Sequence, residues 1–402
     1  MSPGNIRITN SVSSGTEFEL SEKTIASFMK RWRIAGMSVA IAKDGRLTYA
    51  KGFGMADTSL KVETQPYSKF RIASISKLVT AIAILKLNED HKLSLDDRVF
   101  GPEGILKDSC FSHPRDRRAF NITVAHLLSH EGGWLQRYGD QMFMPQVIAN
   151  QMHVGLPVDI KTIVEFALSK RLHFTPGTAR SYSNLGYSIL GLVVERVSGM
   201  PYDEYCKKNI FEPLGIYDMV PAKNLAFEKA PFEVTYYEPA GMPLRPSIYG
   251  TGEMVPVQYG GNDIEALGGA GGWLATSPDL MRLLLAVDGF GSRKDFLNDE
   301  SIRFMTDINN KYAPVGWKSI VYDGSWMRTG SFSGSAGMIK RQPDSISWVV
   351  LMNSSAWNGP EINNYTNRMM TKVLSQIDEW PEFDLFDNSL PVPIRIDISG
   401  LN

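Results

Sequence analysis

RIASISKLVTAIAILKL, residues 71–87, places a serine and a lysine at the start of a long apolar segment. The pattern predicts a helix over 74–87, and Ser74 and Lys77 share one face of it because they lie three positions apart. The same face continues as an apolar stripe formed by Leu78, Ala81, Ile82 and Leu85. We expect this stripe to pack inward and to carry Lys77 toward the protein interior.

Ser74 and Lys77 together suggest nucleophilic catalysis. Burying an ammonium group is costly, so an interior lysine tends to release its proton and can then act as a base. A serine one turn away would use that base, since an alcohol needs one nearby to become a nucleophile. The alternative is structural, with Ser74 capping the helix and the Lys77 amine reaching out to water. Ser-x-x-Lys is a common pattern and does not by itself decide between the two.

A second candidate group is Tyr182-Ser183-Asn184, at the start of a helical pattern. A tyrosine can shuttle a proton, and an asparagine can donate a hydrogen bond to a carbonyl group. At the junction of a loop and a helix, both side chains can point into a cleft. The structural alternative makes Asn184 the helix N-cap and Tyr182 a half-buried packing residue.

A third candidate group lies in WMRTGS, residues 326–331, at the end of a predicted strand. It consists of Arg328, Thr329, Gly330 and Ser331. A cation, a hydroxyl and a glycine-flanked backbone could bind an anionic group and supply an N–H to an oxyanion. The alternative is an ordinary strand end, in which Arg328 points away from the cleft because strand residues alternate in direction.

Strand patterns lie at both ends of the chain, and helical patterns lie between them. Alternating apolar runs on either side of Asp44-Gly45 predict a tight hairpin within 38–50. Near the C-terminus a period of two predicts further strands over 316–322, 325–330, 336–341 and 346–352. Helices are predicted over 21–33 with Ser21 as its cap, over 184–198 up to Gly199, over 276–287 from Thr276 or Ser277, and within 361–379.

These elements predict a mixed α/β (α+β) fold. One antiparallel sheet would be built from both chain ends and flanked by the terminal helices, with a mostly helical region inserted between its strands. The predicted organisation is a polar N-terminal segment over 1–20, a catalytic domain over 21–380 and an extended tail over 381–402. Within the domain, the sheet region would take about 21–70 and 310–380, and the helical region about 71–309. A cleft between two such regions is a common ligand site.

Charge and composition exclude several classes of protein. The chain has 402 residues, with 42 Lys and Arg against 43 Asp and Glu, a formal net charge of −1. This balance argues against a nucleic-acid partner. No apolar run approaches the ~18 residues of a membrane helix. The two cysteines, Cys110 and Cys206, exclude a disulfide scaffold, and we expect both to be free thiols.

Other sequence features argue against metal and dinucleotide sites. His126 and His130 are predicted to lie four apart on one helix, a spacing that binds zinc in some enzymes, but the inner glutamate of H-E-x-x-H is missing. We therefore expect core or capping histidines, no metal and no cofactor. The glycines of 268–272 do not fit G-x-G-x-x-G, and no G-x-S-x-G of an α/β-hydrolase occurs.

In this order and spacing, the three candidate groups resemble the serine β-lactamase and penicillin-binding-protein superfamily, most closely its class C β-lactamase-like branch. The resemblance covers about residues 20–380. It extends to HLLSHEGG at 126–133 and to GGAGGWLATSPD at 268–279. The hairpin at 38–50 and the strand pair at 336–352 also lie where the family has them.

The resemblance implies a serine hydrolase that forms an acyl-enzyme on Ser74. Lys77 and Tyr182 would share the proton transfers, and which of them is the base stays open. Asn184 would hold Lys77 and contact the substrate. The backbone N–H groups of Ser74 and Ser331 would form the oxyanion hole, and water would then hydrolyse the ester. The expected partner is a small molecule or peptide with a reactive carbonyl.

Arg328 departs from the family pattern, which has Lys or His at this position. An arginine stays charged and can grip a carboxylate in a bidentate manner, but it cannot act as a proton donor in the way histidine does. Anion binding by Arg328 is therefore compatible with the change, whereas a proton relay through it is not.

Several alternatives stay open at this level. A β-lactamase, a D-alanyl peptidase and a carboxylesterase share these motifs, and a catalytically idle ligand-binding member would keep the fold. The first 20 residues lack the basic start and apolar run of a signal peptide. The protein would be cytoplasmic, or periplasmic or secreted if a leader was removed before residue 1. The sequence does not indicate an oligomeric state or a role for the tail at 381–402.

Overall fold

A seven-stranded antiparallel sheet forms the centre of the fold. The structure, a computed structural model, describes residues 7–12 and 16–387. Its strands are β1 (Gly36–Lys43), β2 (Arg46–Asp57), β3 (Val62–Glu63), β4 (Phe70–Arg71), β5 (Val220–Pro221), β6 (Arg245–Pro246), β7 (Met254–Val255), β8 (Trp273–Ala275), β9 (Ser319–Ile320), β10 (Trp326–Phe332), β11 (Ser335–Arg341) and β12 (Ile346–Met352).

The helices lie on both faces of this sheet and in the region inserted between its two sets of strands. They are α1 (Glu19–Trp32), α2 (Ser76–Glu89), α3 (Val124–Leu128), α4 (Pro145–Met152), α5 (Ile160–Leu168), α6 (Asn184–Ser198), α7 (Tyr202–Cys206), α8 (Ile264–Leu267), α9 (Ser277–Leu285), α10 (Asp299–Thr306) and α11 (Ile362–Leu374).

Strands from the two chain ends meet at the middle of the large sheet. Its order is β3-β2-β1-β12-β11-β10-β9. In the antiparallel pair of β1 and β12, Val39 lies opposite Val350. The predicted fold class is confirmed. Within the helical region the sequence did not indicate a small three-stranded sheet of order β4-β8-β5.

Both faces of the large sheet are covered, which explains why β12 reads as an almost continuous apolar run. Val350 packs with α1 and α11 on one face. Val349 and Leu351 point the opposite way, into the larger core that contains α2, α6 and α9. Successive strand residues point to opposite faces, so a strand covered on both faces carries mostly apolar side chains, and in β12 Ser347 is the one exception.

Local turn and cap chemistry accounts for the elements that the sequence predicted well. At the β1–β2 hairpin, Asp44 and Gly45 both have positive φ, 50° and 76°, as a two-residue hairpin turn needs. Thr276 caps α9 by accepting a hydrogen bond from the N–H of Asp279. α6 ends at Gly199, whose φ of 71° is left-handed. These three predictions are confirmed.

The predicted helix over 74–87 differs from the structure in two ways. α2 begins at Ser76, and Ser74 lies in a 3-10 turn, Ala73–Ile75, just before it. The expectation of a single apolar stripe was wrong, because residues 76–85 are all buried. This part of α2 passes through the core beside α6, so even the polar side chains of Ser76, Lys77 and Thr80 are withdrawn from water.

Three other predictions need correction. α1 begins at Glu19, not at a cap formed by Ser21, whose hydroxyl instead donates a hydrogen bond to the Val373 carbonyl. The strand predicted over 316–322 is only β9. His130 is not on a helix with His126, because α3 ends at Leu128. Ser21 and His130 each make a contact with a segment far away in the chain, Ser21 with Val373 and His130 with Ser183, in place of the local role that the sequence predicted.

The C-terminal tail begins by packing against the sheet. The N–H of Leu385 donates to the Leu47 carbonyl, and the Leu47 N–H donates to Asp384. Residues 388–402 of the predicted tail lie outside the described residues, and the predicted domain boundaries stay predictions. In the described part of the chain, no helix is both long and apolar enough to cross a bilayer. Cys110 and Cys206 are free thiols, as expected.

Candidate active site

Ser74 and Lys77 meet at the junction between the 3-10 turn and α2. The Lys77 Nζ lies 3.2 Å from the Ser74 Oγ. Ser74 is partly accessible, whereas Lys77 is fully buried. The predicted inward orientation of Lys77 is thus present, although the helix around it is buried on all sides.

Strand β10 runs directly alongside the turn that carries Ser74. A Cβ added at Gly330 would lie 2.1 Å from the carbonyl oxygen of Ile72, so only glycine permits this approach. Ala73, just before the serine, has a φ of 45°, which is uncommon for a residue with a Cβ. β9 pairs with β10 only at Trp326 and Met327. Among the described residues, the rest of this edge of β10 has no neighbouring strand and lies beside the turn that carries Ser74.

The Lys77 amine has two short contacts besides the one to Ser74. It donates to the Asn184 Oδ1 and to the Ala270 carbonyl, both at 2.6 Å. Asn184 is available for this contact because Ser183 is the N-cap of α6, accepting from the Gly186 N–H. The structural alternative for Asn184, a capping role, is therefore not what the structure contains.

Tyr182 approaches the serine from the other side. Its hydroxyl donates to the Ser74 Oγ at 2.7 Å. Its ring lies 4.9 Å from the Lys77 Nζ, close enough for a cation–π contact. The structure therefore brings together Ser74, Lys77, Tyr182 and Asn184, which come from segments more than 100 residues apart.

Burial and neighbouring charge bring two groups of this cluster toward neutral pKa values. Loss of solvent, aided by the charge of Arg328, lowers the pKa of Lys77 to about 8. Burial by itself would raise the pKa of Tyr182, but the positive charges of Lys77 and Arg328 outweigh it and lower that pKa to about 8. Two groups that can exchange a proton near neutral pH thus flank one serine hydroxyl.

Arg328, on β10, points toward the cluster of Ser74 and Tyr182 and is only 2% exposed. Its Nε donates to the Ser74 carbonyl at 2.8 Å, and its Nη2 donates to the Tyr182 hydroxyl at 3.2 Å. Its Nη1 donates to the Trp317 carbonyl at 3.3 Å. The side chain does not point away from the site, and its fork already donates to three protein acceptors.

A cavity of about 480 Å³ opens over Ser74. Phe143 and Phe332 line it, with ring centroids 6.4 Å apart. Its other lining residues are Ala73, Gln136, Tyr182, Asn184, Leu267, Ala270, Gly271, Lys318, Arg328, Thr329, Ser331 and Asn363. Thr329 and Ser331 of the third candidate group thus face the same cavity as the serine.

The two histidines of the sequence analysis have structural contacts. His126 takes part in the capping box of α3, where its Nδ1 accepts from the Thr123 N–H. The Nδ1 of His130 accepts from the Ser183 N–H, and its ring packs against Tyr182 at 4.7 Å. Within residues 7–12 and 16–387, no three His, Cys, Asp or Glu side chains are arranged to hold a metal ion.

Sequence reasoning missed the residues that complete this site. Asp140 accepts from the Asn184 Nδ2 at 2.7 Å and so orients the amide that holds Lys77. Phe143, Phe332 and Lys318 line the cavity. No motif or periodicity links these positions to Ser74, and only an alignment with relatives could have marked them.

Comparison with known proteins identifies the family. The Beta-lactamase family model matches residues 22–369. The chain belongs to this family. The match confirms the predicted superfamily, whereas the class C-like branch stays a prediction. Protein flp of Staphylococcus aureus strain N315 is 28% identical over 199 residues, 48% of this chain and 36% of that protein. The chain thus matches about a third of the length of this curated relative.

Solved structures of other proteins share the fold. The penicillin-binding protein homologue from Pyrococcus abyssi, described as octameric, has a TM-score of 0.65 and 28% identity, and the match covers 88% of this chain and 77% of that one. The D-amino acid amidase from Ochrobactrum anthropi SV3 has a TM-score of 0.66 over 90% of this chain and 99% of that one. At 20% identity, the second likeness concerns the fold alone.

Proposed function

We propose that this protein is a serine hydrolase of the β-lactamase and D-alanyl peptidase type, which forms an acyl-enzyme on Ser74 and cleaves an amide or ester bond. One observation carries the proposal. The Ser74 Oγ lies 3.2 Å from the Lys77 Nζ and 2.7 Å from the Tyr182 hydroxyl, and both of these groups have a pKa lowered to about 8. A hydroxyl between two such groups can lose and regain a proton near neutral pH.

Lys77 is the base that the contacts favour for the first step. A neutral amine has two N–H bonds and one lone pair. The 2.6 Å contacts to the Asn184 Oδ1 and the Ala270 carbonyl use both N–H bonds, so the lone pair is directed at the Ser74 hydroxyl. Lys77 would then take the hydroxyl proton as the Ser74 oxygen bonds to the substrate carbonyl carbon.

When Ser74 attacks, the oxygen of the substrate carbonyl becomes negatively charged and needs N–H donors close to it. The backbone N–H groups of Ser74 and Ser331 are our assignment, as the family resemblance implies. The close approach at Gly330 supports it, since this approach brings β10 beside the serine. Asn184 and Thr329 would contact the substrate from the two sides of the cavity.

Tyr182 would complete the acylation. As the bond to the leaving amine or alcohol breaks, Tyr182 gives its proton to the leaving group and regains one from Lys77. Water then attacks the ester, giving up a proton to this pair, and the acid product leaves as Ser74 recovers its hydroxyl hydrogen. Arg328 donates to the Tyr182 hydroxyl and the Ser74 carbonyl. We therefore propose a positioning role for Arg328, and its predicted substrate contact stays a prediction.

Covalent labelling tests this proposal directly. Incubation with a fluorophosphonate or a slow β-lactam should add one adduct by intact-mass spectrometry, and peptide mapping should place it on Ser74. Ser74→Ala should remove both the adduct and hydrolysis. An adduct on another serine would overturn the assignment. A well-folded wild-type protein without any adduct or hydrolysis would identify a catalytically idle ligand-binding member.

The substrate class needs a second experiment. A panel of a chromogenic cephalosporin, a p-nitrophenyl ester and a D-Ala-D-Ala peptide compares the β-lactamase, esterase and peptidase alternatives. The highest kcat/KM in the panel would assign the class. Ser74→Ala run in parallel measures the background for each substrate.

A further inference from the structure

The lining of the cavity over Ser74 carries positive charge, while the Asp140 carboxylate, which accepts from the Asn184 Nδ2 at 2.7 Å, lies outside that lining. Two charged side chains, Lys318 and Arg328, line the cavity, and none of its described lining residues is an Asp or Glu. Lys77 adds a third basic group directly beneath the serine. A concave surface with one sign of charge concentrates ligands of the opposite sign, so the cavity favours an anionic substrate.

The two lining cations differ in what they can still bind. Arg328 is 2% exposed, and its three nitrogens donate to the Ser74 carbonyl, the Trp317 carbonyl and the Tyr182 hydroxyl. Lys318 is exposed, and within the described ranges its amine forms no ion pair or hydrogen bond. Its backbone N–H donates to the Met327 carbonyl at 2.8 Å, which fixes its chain beside β10.

The rest of the cavity wall indicates what else the substrate carries. Phe143 and Phe332 form an apolar wall with ring centroids 6.4 Å apart, and Leu267 adds to the apolar lining. An amphipathic substrate with an apolar group and an anionic group fits such a lining, because the rings bury the first while Lys318 neutralises the second.

We propose that Lys318 is a specificity-determining residue that binds a carboxylate on the substrate, the role that the sequence analysis gave to Arg328. The proposal rests on the proposed function, since it concerns substrates of the same serine. A lysine amine at the cavity mouth is a flexible point charge, so it can follow a carboxylate placed at different distances from the scissile bond. The preferred substrates are therefore amides or esters with an apolar group and a free carboxylate.

Matched esters provide the test. One pair places the carboxylate on the acyl side: a p-nitrophenyl monoester of a dicarboxylic acid against the p-nitrophenyl ester of a monocarboxylic acid of equal chain length. The other pair places it on the leaving group: a carboxylated nitrophenyl ester against its uncharged analogue. The measurement is kcat/KM for each ester with wild type, Lys318→Ala, Lys318→Glu and Lys318→Arg.

Loss of the amine should lower kcat/KM for the carboxylate-bearing ester of at least one pair. An ion pair at an exposed position predicts a loss of about three- to fivefold for Lys318→Ala, and charge reversal in Lys318→Glu should bring it to roughly tenfold or more. Lys318→Arg should keep most of the wild-type preference. The uncharged esters should change by less than about twofold, and raising the salt concentration should narrow the wild-type preference.

Lys372→Glu is the matched control, because Lys372 is an exposed lysine of α11 that does not line the cavity. It makes the same change in net charge and should leave every preference unaltered. Equal effects of Lys318→Glu on both members of both pairs, or none on either, would overturn the role of Lys318. Failure of wild type to hydrolyse even the uncharged esters in a Ser74-dependent way would instead overturn the proposed function.

Discussion

Two regions beside Tyr182 each hold a base with a lowered pKa, and they serve different ends. At the start of α2, Lys77 lies 3.2 Å from the Ser74 hydroxyl. In the loop after α3, His130 packs its ring against Tyr182 and accepts from the Ser183 N–H at 3.2 Å. Burial lowers the pKa of both, with the charge of Arg328 adding to it in each case.

The difference lies in the partner, not in the pKa. The Lys77 amine faces a hydroxyl, which can give up its proton when a carbon electrophile arrives. The His130 Nδ1 faces a peptide N–H, whose proton is not available near neutral pH. A lowered pKa therefore indicates only that the surroundings disfavour the charged form of the base. A neighbouring group with an exchangeable proton is also needed before that base is a candidate catalyst.

Lys77→Arg should produce the largest effect. Arginine keeps the charge but does not release its proton, so we expect a loss of roughly 10³–10⁴-fold in kcat/KM, within the range of general-base catalysis. Steady-state hydrolysis and the rate of fluorophosphonate labelling both measure it. Circular dichroism should confirm an intact fold. Near-normal turnover would remove Lys77 from the mechanism and leave Tyr182 as the base.

Tyr182→Phe should come next. The change removes only the hydroxyl that donates to Ser74, and we expect a loss of roughly 10²–10³-fold in rate. Binding of a non-reactive substrate analogue, followed by calorimetry, should barely change. A loss of folding stability with an unchanged rate would instead favour the packing role considered for this tyrosine.

Arg328→Gln should have a moderate effect that does not depend on the substrate. Loss of hydrogen bonds from a charged group to Ser74 and Tyr182 costs about 1.5–3 kcal/mol, or roughly ten- to hundredfold in kcat/KM. Because Arg328 lowers the pKa of Lys77, the rise of wild-type kcat/KM with pH toward about 8 should also move to higher pH in the variant. A loss confined to carboxylate-bearing substrates would instead assign it a direct substrate contact.

His130→Asn should have the smallest effect on catalysis, less than about threefold in kcat/KM at pH 8, because its nitrogen faces a peptide N–H. Its effect should be on stability. The pKa of His130 in the folded protein lies well below 6.5. Below pH 6.5 the unfolded chain therefore binds a proton that the folded protein does not, so the free energy of unfolding decreases as the pH is lowered.

Urea unfolding at pH 7, 6 and 5 measures this difference. Wild type should lose up to about 1 kcal/mol more than His130→Asn between pH 6 and pH 5. Asparagine can still accept from the Ser183 N–H, which keeps the comparison to the titrating ring. Identical pH profiles of stability for the two proteins would mean that His130 has the same pKa in the folded and unfolded states. The environment of His130 would then not lower its pKa as that of Lys77 does.

The sequence alone determined the features that depend on a few neighbouring residues. The Asp44-Gly45 turn, the cap at Thr276 and the end of α6 at Gly199 follow from hydrogen bonds and backbone preferences within one or two turns. The spacing of Ser74 and Lys77 brings their polar atoms within reach for the same reason, whether the first turn is α or 3-10. Family resemblance added Tyr182 and Asn184 to them.

Only the tertiary structure decided which way Arg328 points, that His130 leaves the helix, and that Asp140 and Lys318 belong to the site. Each of these depends on a contact between segments far apart in the chain, as when Arg328 reaches Tyr182. Such contacts are set by how β10 packs against the turn at Ser74, and no local preference encodes that packing. The sequence therefore predicted which chemical groups the site contains. Packing decided that the charge of Arg328 is directed at protein acceptors and that the charge of Lys318 is left for the proposed substrate contact.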